Sequence, residues 1–572
     1  MNKKYIKDRF LKYDTLYRLI EDRASIFGDK PLYQYFAKDK SLISVSYKEF
    51  FNDVKALATY FILRGYKGKH IAVVSESRPE WVVVYCATIA AGAVVVPIDR
   101  DLATERMTDF ISLAECEAVF CSETYADKLA SLAERMTCVK HLICFDKYDA
   151  EPDCLECYYD LIHTGKDTLQ RGNTAIDTID NDPKNLAAII FTSGTTGTSK
   201  GVMIAQSNIL ASLIGGTSMT PYDENDVFFS VLPAHHTYET CCGILGPILC
   251  GATVVFNNSL KYFAKNIQTV KPTGMIVVPL FLDTMYRRVQ SEIRNSKREK
   301  AFKFGVAASK AMRHIGIDTR SVIFAKIRAG FGGRLKYIVC GGAALEPSLI
   351  THFDEVGITV AQGYGITECA PLVSVNPPDN MKCGSVGICM EGCSVKILVD
   401  DQDGTERQAV GEEIGEICVL GPQVMIGYYK DPEATAAVFT DDGYFRTGDY
   451  GYIDKDGFIY ITGRKKNIII LPNGKNIYPE EIEEYLYKSS LIRECVVCSR
   501  VTEGGDEVLT ALIYPDYDLL QGLDQAQIAE KLKAEVAAIN RQHPAYKQIR
   551  NIEIRHTEFE KTTTKKIIRN KI

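Results

Sequence analysis

The sequence predicts an α/β fold: a large N-terminal domain of parallel sheets flanked by helices, a β-rich subdomain inside it, and a small α+β C-terminal domain. Three observations carry this. Short β-branched runs alternate with helix-period segments through the first half, the pattern of strand–helix–strand units. From about Val386 the texture changes to short strands and tight turns. After Arg464 it becomes mixed again, and 572 residues are too many for one ordinary core.

In chain order, 46–64 reads as an amphipathic helix after a Ser/Tyr start. Ile71-Ala72-Val73-Val74, Val94-Val95-Val96-Pro97-Ile98 and Ala118-Val119-Phe120-Cys121 read as buried strands. The uncharged run from Trp81 to Ile98 is at the lower edge of a membrane-spanning length. Gly92, the Val triplet and Pro97 break it into a buried helix followed by a strand. Residues 288–333 form a basic helical excursion, most of whose charges are read as solvated.

Asp400 to Gly404, Asp441-Asp442-Gly443 and Asp454-Lys455-Asp456-Gly457 are hairpin-type turns. They mark a β-rich subdomain over about 386–463, closing a first domain of 1–463. The remainder, 464–572, holds a helix at 479–488, strands at 494–499 and 508–514, a helix at 526–539 and a basic tail.

Composition is that of a soluble globular protein, with 46% hydrophobic and 24% charged residues. A net charge of −6 argues against a nucleic-acid partner. Eighteen cysteines and an N-terminus with charge but no apolar core suit a reducing cytoplasm. The Cys154/Cys157 and Cys495/Cys498 pairs are read as structural thiols; the second sits in a strand-like run, where residues three apart face opposite ways.

The most informative stretch is Thr192-Ser193-Gly194-Thr195-Thr196-Gly197-Thr198-Ser199-Lys200-Gly201, between an apolar strand at 186–191 and Val202-Met203-Ile204. Glycines let backbone N–H groups turn toward an anion, hydroxyls add rotatable donors, and lysine adds a point charge. That is a phosphate cradle. Gly201 follows the lysine where a Walker loop carries Ser or Thr, so this is a different cradle.

The loop resembles the phosphate loop of the adenylate-forming (AMP-binding) superfamily, and further stretches match in the same order. They are Lys336 to Leu345 with Gly342 and Ala343; Gln362-Gly363-Tyr364-Gly365-Ile366-Thr367-Glu368; Tyr444 to Asp449; Gly463-Arg464-Lys465-Lys466-Asn467; Leu471 to Glu483; and the C-terminal Phe559 to Arg569. The resemblance covers most of the chain. It implies that Thr192, Ser193, Gly194, Thr195, Thr196, Gly197 and Lys200 hold phosphate, and that Tyr364 stacks on adenine. It also implies that Thr367 contacts phosphate, Glu368 with Thr195 holds Mg²⁺, and Asp449 and Arg464 reach the ribose.

Lys466 falls at the family's hinge, about which the small C-terminal domain is mobile. Gly474, Lys475 and Asn476 would line the coenzyme A path. Lys566 would be the catalytic lysine; because Lys565 stands where Gly is usual, Lys565 is the alternative. In Leu232-Pro233-Ala234-His235-His236-Thr237-Tyr238-Glu239, His236 would stand between acyl and phosphate sites, and a metal role for His235, His236 and Glu239 is the weaker reading.

These matches, and the likeness of 471–476 and of 288–335 to the long-chain branch, imply a fatty acid–CoA ligase (acyl-CoA synthetase) using ATP, Mg²⁺ and coenzyme A. The rivals are adenylation of an aryl acid, transfer to an acyl carrier protein, luciferase-like oxygenation and a non-catalytic binder. The sequence predicts no transmembrane segment and leaves peripheral membrane contact, chain length and oligomeric state open.

Overall fold

The computed structural model of the chain describes residues 13–146, 155–192, 199–401, 405–470, 476–501, 507–561, 567–569 and 572. Two large sheets, each mostly parallel, share one helical layer. The first has eight strands in the order Gly427–Tyr428, Lys200–Ala205, Leu186–Thr192, Val94–Pro97, His70–Val74, Cys116–Cys121, His141–Cys144 and Leu155–Cys157. Leu186–Thr192 and Lys200–Ala205 pair antiparallel, with Thr192 opposite Lys200, so the phosphate-cradle sequence is bracketed by a strand pair.

The second sheet has nine strands. Its parallel centre runs Thr359–Gly365, Tyr337–Cys340, Gly274–Val277, Val227–Ser230, Thr253–Phe256 and Pro31–Phe36, with antiparallel strands on both edges. The N-terminal hairpin Pro31–Phe36/Leu42–Ser46 joins this sheet through parallel pairing of Tyr33 with Val254. The sequence reading did not mark that hairpin, and its attachment to the sheet depends on a strand more than 200 residues away.

Alternation along the strands explains the layering. Ile71 and Val73 pack with the helices Tyr47–Leu63 and Pro79–Ala90, while Ala72 and Val74 pack with Met107, Phe110 and Leu129 on the other face. In the second sheet Phe228, Val254 and Ile276 join the same central core, and Phe229, Val255 and Met275 face Leu282, Phe324 and Phe353.

Every residue of Pro79–Ala90 except Glu80 is buried. A helix apolar on all sides is what a layer sandwiched by two others requires. The Trp81–Ile98 run is therefore this helix and the strand after it. Among the described residues no helix is long and apolar enough to cross a membrane.

The predicted helix over 46–64 is Tyr47–Leu63, capped by Ser46, whose side chain accepts from the Glu49 backbone while Glu49 accepts from the Ser46 backbone. The β-rich segment is a five-stranded antiparallel sheet ordered Glu406–Gln408, Ser394–Asp400, Gly415–Leu420, Phe445–Ile453, Ile459–Arg464. The C-terminal part has its own core around the strands Ile492–Val501, Glu507–Pro515 and Asn551–Ile554 and the helices Pro479–Leu486 and Gln525–Asn540. The first of these helices stops two residues short of the sequence expectation. Cys495 and Cys498 both lie in Ile492–Val501, whereas Cys154 is outside the described residues.

Candidate active site

A line of side-chain contacts crosses from the first sheet to the β-rich sheet. The Lys200 ammonium lies 4.6 Å from the ring centre of Tyr428. The Tyr428 hydroxyl donates to Glu368 Oε1 at 3.1 Å, and the Met425 N–H donates to the Glu368 carbonyl at 2.8 Å. Glu368 sits with Thr367 in a single 3₁₀ turn just beyond Thr359–Gly365. Burial raises its carboxyl above the usual range, opposed by the Tyr428 bond and the Arg464 charge.

On the preceding strand the buried Tyr364 donates from its hydroxyl to Asp449 Oδ2 at 2.7 Å. Asp449 is almost fully buried, and its Oδ1 lies 2.8 Å from Arg464 Nε. The two residues are directly paired across the hairpin Phe445–Ile453/Ile459–Arg464, so strand register alone aligns them. The Asp449 charge in turn raises the Arg464 guanidinium.

A second group converges from below. His236 accepts from the Tyr238 N–H at 3.2 Å, and its own N–H donates to the Pro233 carbonyl at 3.1 Å, closing a turn. The Tyr238 hydroxyl donates to the Val339 carbonyl at 3.1 Å, which fixes this turn against the Gly341–Ala343 bend. Gly342 has φ +83°, a conformation in which glycine avoids the penalty a side chain would bring. Gly363 and Gly365 are half-buried on the neighbouring strand, and the Gln362 Oε1 atom is buried without a partner. Ala343 is exposed.

His235 lies 3.5 Å from Asp99, and burial pushes its imidazole down to about 4. Glu239 is fully buried: Ser230 donates to Oε1, Oε2 has no partner, and burial pushes the carboxyl up to about 8. His235 and Glu239 therefore have separate surroundings. Among the described residues no three His, Cys, Asp or Glu side chains are grouped to hold a metal ion.

At the start of the C-terminal part, burial together with Arg464 and Arg569 lowers the Lys466 ammonium. Asn467 donates to Glu480 Oε1 at 2.5 Å, and Arg569 pairs with Glu483. Ser193, Gly194, Thr195, Thr196, Gly197, Gly474, Lys475, Lys565 and Lys566 lie outside the described residues, and Asn476 is described only as part of the strand Asn476–Ile477. Their flanks are described: Thr192 pairs with Lys200, Ile470 with Asn476, and Lys561 with Ile567.

Sequence reasoning did not single out Tyr428 or Glu416. Tyr428 belongs to a two-residue edge strand, too short to show a pattern. Glu416 is buried and accepts from the Gly448 N–H at 3.2 Å, Lys465 at 2.9 Å and Arg446 at 3.2 Å, holding the turn before Asp449.

Beside the site lies a cavity of about 1660 Å³ under the 288–333 excursion. Leu232, Pro233 and Val278 form its inner wall next to the His236 turn, and Met285, Phe324 and Phe331 are among its apolar lining. Lys561 reaches it from the C-terminal part.

Residues 20–429 match the family described as AMP-binding enzyme, and 466–572 match the AMP-binding enzyme C-terminal domain. The long-chain-fatty-acid–CoA ligase 1 of Cavia porcellus is 28% identical over 527 residues, covering 88% of this chain and 74% of that protein. The long-chain-fatty-acid–CoA ligase FadD15 of Mycobacterium bovis is 27% identical over 547 residues, covering 90% and 84%. Among solved structures, ATP-bound MatB of Rhodopseudomonas palustris superposes with a TM-score of 0.74 at 24% identity, covering 97% of each chain. The anthranilate CoA ligase AuaEII with anthranoyl-AMP gives 0.76 at 19% identity over 97% of this chain and 96% of that one.

Proposed function

This chain belongs to the AMP-binding enzyme family and is an AMP-forming acid–thiol ligase, and from that premise we propose that its substrate is a long-chain fatty acid. The enzyme would activate the acid with ATP to an acyl-adenylate and transfer it to coenzyme A, releasing AMP and pyrophosphate. The observation that carries the substrate class is the cavity of about 1660 Å³ with an apolar lining that starts at the His236 turn. The 28% identical long-chain ligase relatives support the same reading.

The chemistry is governed by charge. A carboxylate must approach the α-phosphorus of ATP, and both are anions, so positioning and neutralisation carry the rate. Lys200 and the 192–197 loop would hold the leaving pyrophosphate. Asp449 would accept from the ribose hydroxyls while Arg464 keeps it oriented. Tyr364 would present its ring to adenine, with Gln362, Gly363 and Gly365 beside it and Gly342 and Ala343 letting the flat base approach.

Thr367 would donate to phosphate. His236, between cavity and phosphate positions, would gate the carboxylate. Glu368 suits Mg²⁺: its carboxyl is raised by burial, and a hard cation bound to phosphate needs few protein oxygens. When bound, the ion would supply charge neutralisation at the phosphates, with Thr195 as a second contact.

Lys566 would bridge the carboxylate and α-phosphate in adenylation, with Lys565 as the alternative. Rotation of 464–572 about Lys466 would then replace that lysine with Gly474, Lys475 and Asn476 for thiol attack. Cytoplasmic residence belongs to the same proposal.

The test is pyrophosphate release with ATP, Mg²⁺ and a panel of short to long fatty acids plus benzoate, with and without coenzyme A. Repeated turnover with a long-chain acid only when coenzyme A is present is the expected result. Turnover with benzoate but no fatty acid overturns the substrate class. A single burst that coenzyme A does not extend overturns the acceptor and indicates a carrier protein.

A further inference from the structure

Next to the 464–467 hinge, the C-terminal helix Pro479–Leu486 packs along the strand Ile459–Arg464. A second contact with the large domain involves neither segment. Arg287, on the helix Pro279–Asn295, donates from Nη1 to Asp516 Oδ2 at 2.6 Å. Beyond residue 467, this is the one ion pair between the two parts among the described residues.

Both members are held in place. Arg287 Nε donates to Asp283 Oδ2 at 2.7 Å, one helical turn back, which orients the guanidinium fork. Asp516 follows the strand Glu507–Pro515 and is 6% exposed. Its N–H donates to the Leu491 carbonyl at 2.9 Å, and its Oδ1 accepts from the Leu519 N–H at 3.3 Å. No cation of its own part lies within ion-pair reach of it among the described residues. A carboxylate so short of water needs a cation from outside.

The helix that supplies this cation has two faces. Phe281, Met285 and Val289 line the cavity, while Asp283, Tyr286 and Arg287 turn the other way. The Tyr286 ring stacks on His352 at 4.6 Å, so the helix is braced against the large domain. With the pair formed, Lys561 reaches the same cavity, and Lys561 bridges to Ile567. The attraction is opposed nearby: burial raises the Glu484 carboxyl, and the like charge of Glu346, across the two parts, raises it further.

We propose that Arg287 and Asp516 are positioning residues for adenylation. Their ion pair holds the C-terminal part where Lys561 and the bridge to Ile567 meet the cavity, and it breaks when 464–572 rotates for thiol attack. The proposal rests on the two arrangements given under the proposed function and assigns the bond that sets the balance between them. Losing the pair depletes the adenylating arrangement and leaves the other accessible. A pair that only stabilised the fold would act on both half-reactions alike.

The experiment uses the full chain as parent, Arg287→Gln, Asp516→Asn and the double variant. Single-turnover pyrophosphate release without coenzyme A should slow by about threefold to tenfold in each single variant. Thioester formation from supplied acyl-adenylate should hold or rise. The double variant should lose no more than either single one, because the two residues act together. Hydrogen–deuterium exchange without substrates should be faster over 283–290 and 515–520 in all three variants, with melting midpoints near the parent's.

Equal slowing of both half-reactions, losses that add in the double variant, or unchanged exchange overturns the proposal. The exchange measurement needs no acid, so an error in the substrate class leaves it intact. Failure of the two-arrangement reading shows elsewhere, as Lys566→Ala and Lys565→Ala variants that each lose both half-reactions together.

Discussion

Arg464 and Asp449 stand opposite one another in a single antiparallel register, Nε to Oδ1 at 2.8 Å, with the Tyr364 hydroxyl on the remaining carboxylate oxygen at 2.7 Å. The carboxylate is thus oriented from two sides by groups on two different sheets. Asp449→Ala removes the acceptor and leaves a buried hydroxyl and a guanidinium without their partner. A hydrogen bond to a charged group contributes about 1.5–3 kcal/mol, so kcat/KM for ATP should fall by roughly ten- to a hundredfold per lost ribose contact. Steady-state pyrophosphate release at varied ATP measures it, and an unchanged kcat/KM would remove Asp449 from the nucleotide site.

Tyr428 serves Lys200 with its ring and Glu368 with its hydroxyl. Tyr428→Phe keeps the first role and removes the second. It should cost about 0.5–1.5 kcal/mol, a two- to tenfold loss in adenylation, and raise the Mg²⁺ concentration needed for half-maximal rate. Tyr428→Ala should lose more in the same assay, since the cation also loses its ring. Equal losses in the two variants would show that only the hydroxyl matters.

Glu239 gives a pH signature. Its carboxyl titrates at about 8 in the fold against 4.5 for the exposed group. The folded state therefore holds a proton that the unfolded chain releases above pH 4.5. The stabilisation is complete below 4.5 and drains away as pH rises to about 8. Glu239→Gln removes that slope, so the variant should melt above the parent at pH 8.5 and lose that advantage at pH 5. Parallel melting curves across this window would sink the assignment.

Gly332 closes the helical excursion at φ +81°, where a methyl group would come within 2.6 Å of the Ile267 carbonyl oxygen and 2.7 Å of Lys271 Cα. Neither backbone atom can yield cheaply. Gly332→Ala should lower the melting midpoint by several degrees through about 1–3 kcal/mol of strain and clash, read by scanning calorimetry.

Lys566→Ala should abolish adenylate formation and spare thioester formation from supplied acyl-adenylate, with both half-reactions measured separately. Loss of both together would contradict the division of labour between Lys566 and the 474–476 segment. If Lys565→Ala shows the split and Lys566→Ala does not, the assignment moves by one residue.

What the sequence disclosed depended on range. The cap at Ser46, the buried Pro79–Ala90 helix and the Asp454–Gly457 turn arise from neighbours within a few residues, and local pattern marked them. Asp449 and Arg464 were legible because each sits in a distinctive string, although their pairing is a matter of register. Tyr428 and Glu416 were not, because a tyrosine on a two-residue strand and a glutamate in an ordinary strand acquire meaning only from partners tens of residues away. The cavity was equally hidden, since its walls come from segments as far apart as Tyr35 and Lys561.

The parallel pairing of Tyr33 with Val254 sets a timetable for synthesis. The aromatic-rich hairpin at 31–46 leaves the ribosome more than 200 residues before the strand it must lie beside. At about 5–20 residues per second, that is a wait of roughly 10–45 s with a bare strand edge and an uncovered apolar face. During that interval the nascent chain presents the surface that holding chaperones grip, and a pause in translation just before Phe256 would lengthen the exposure. Codon choice in that stretch should therefore govern how much of the protein reaches its native form.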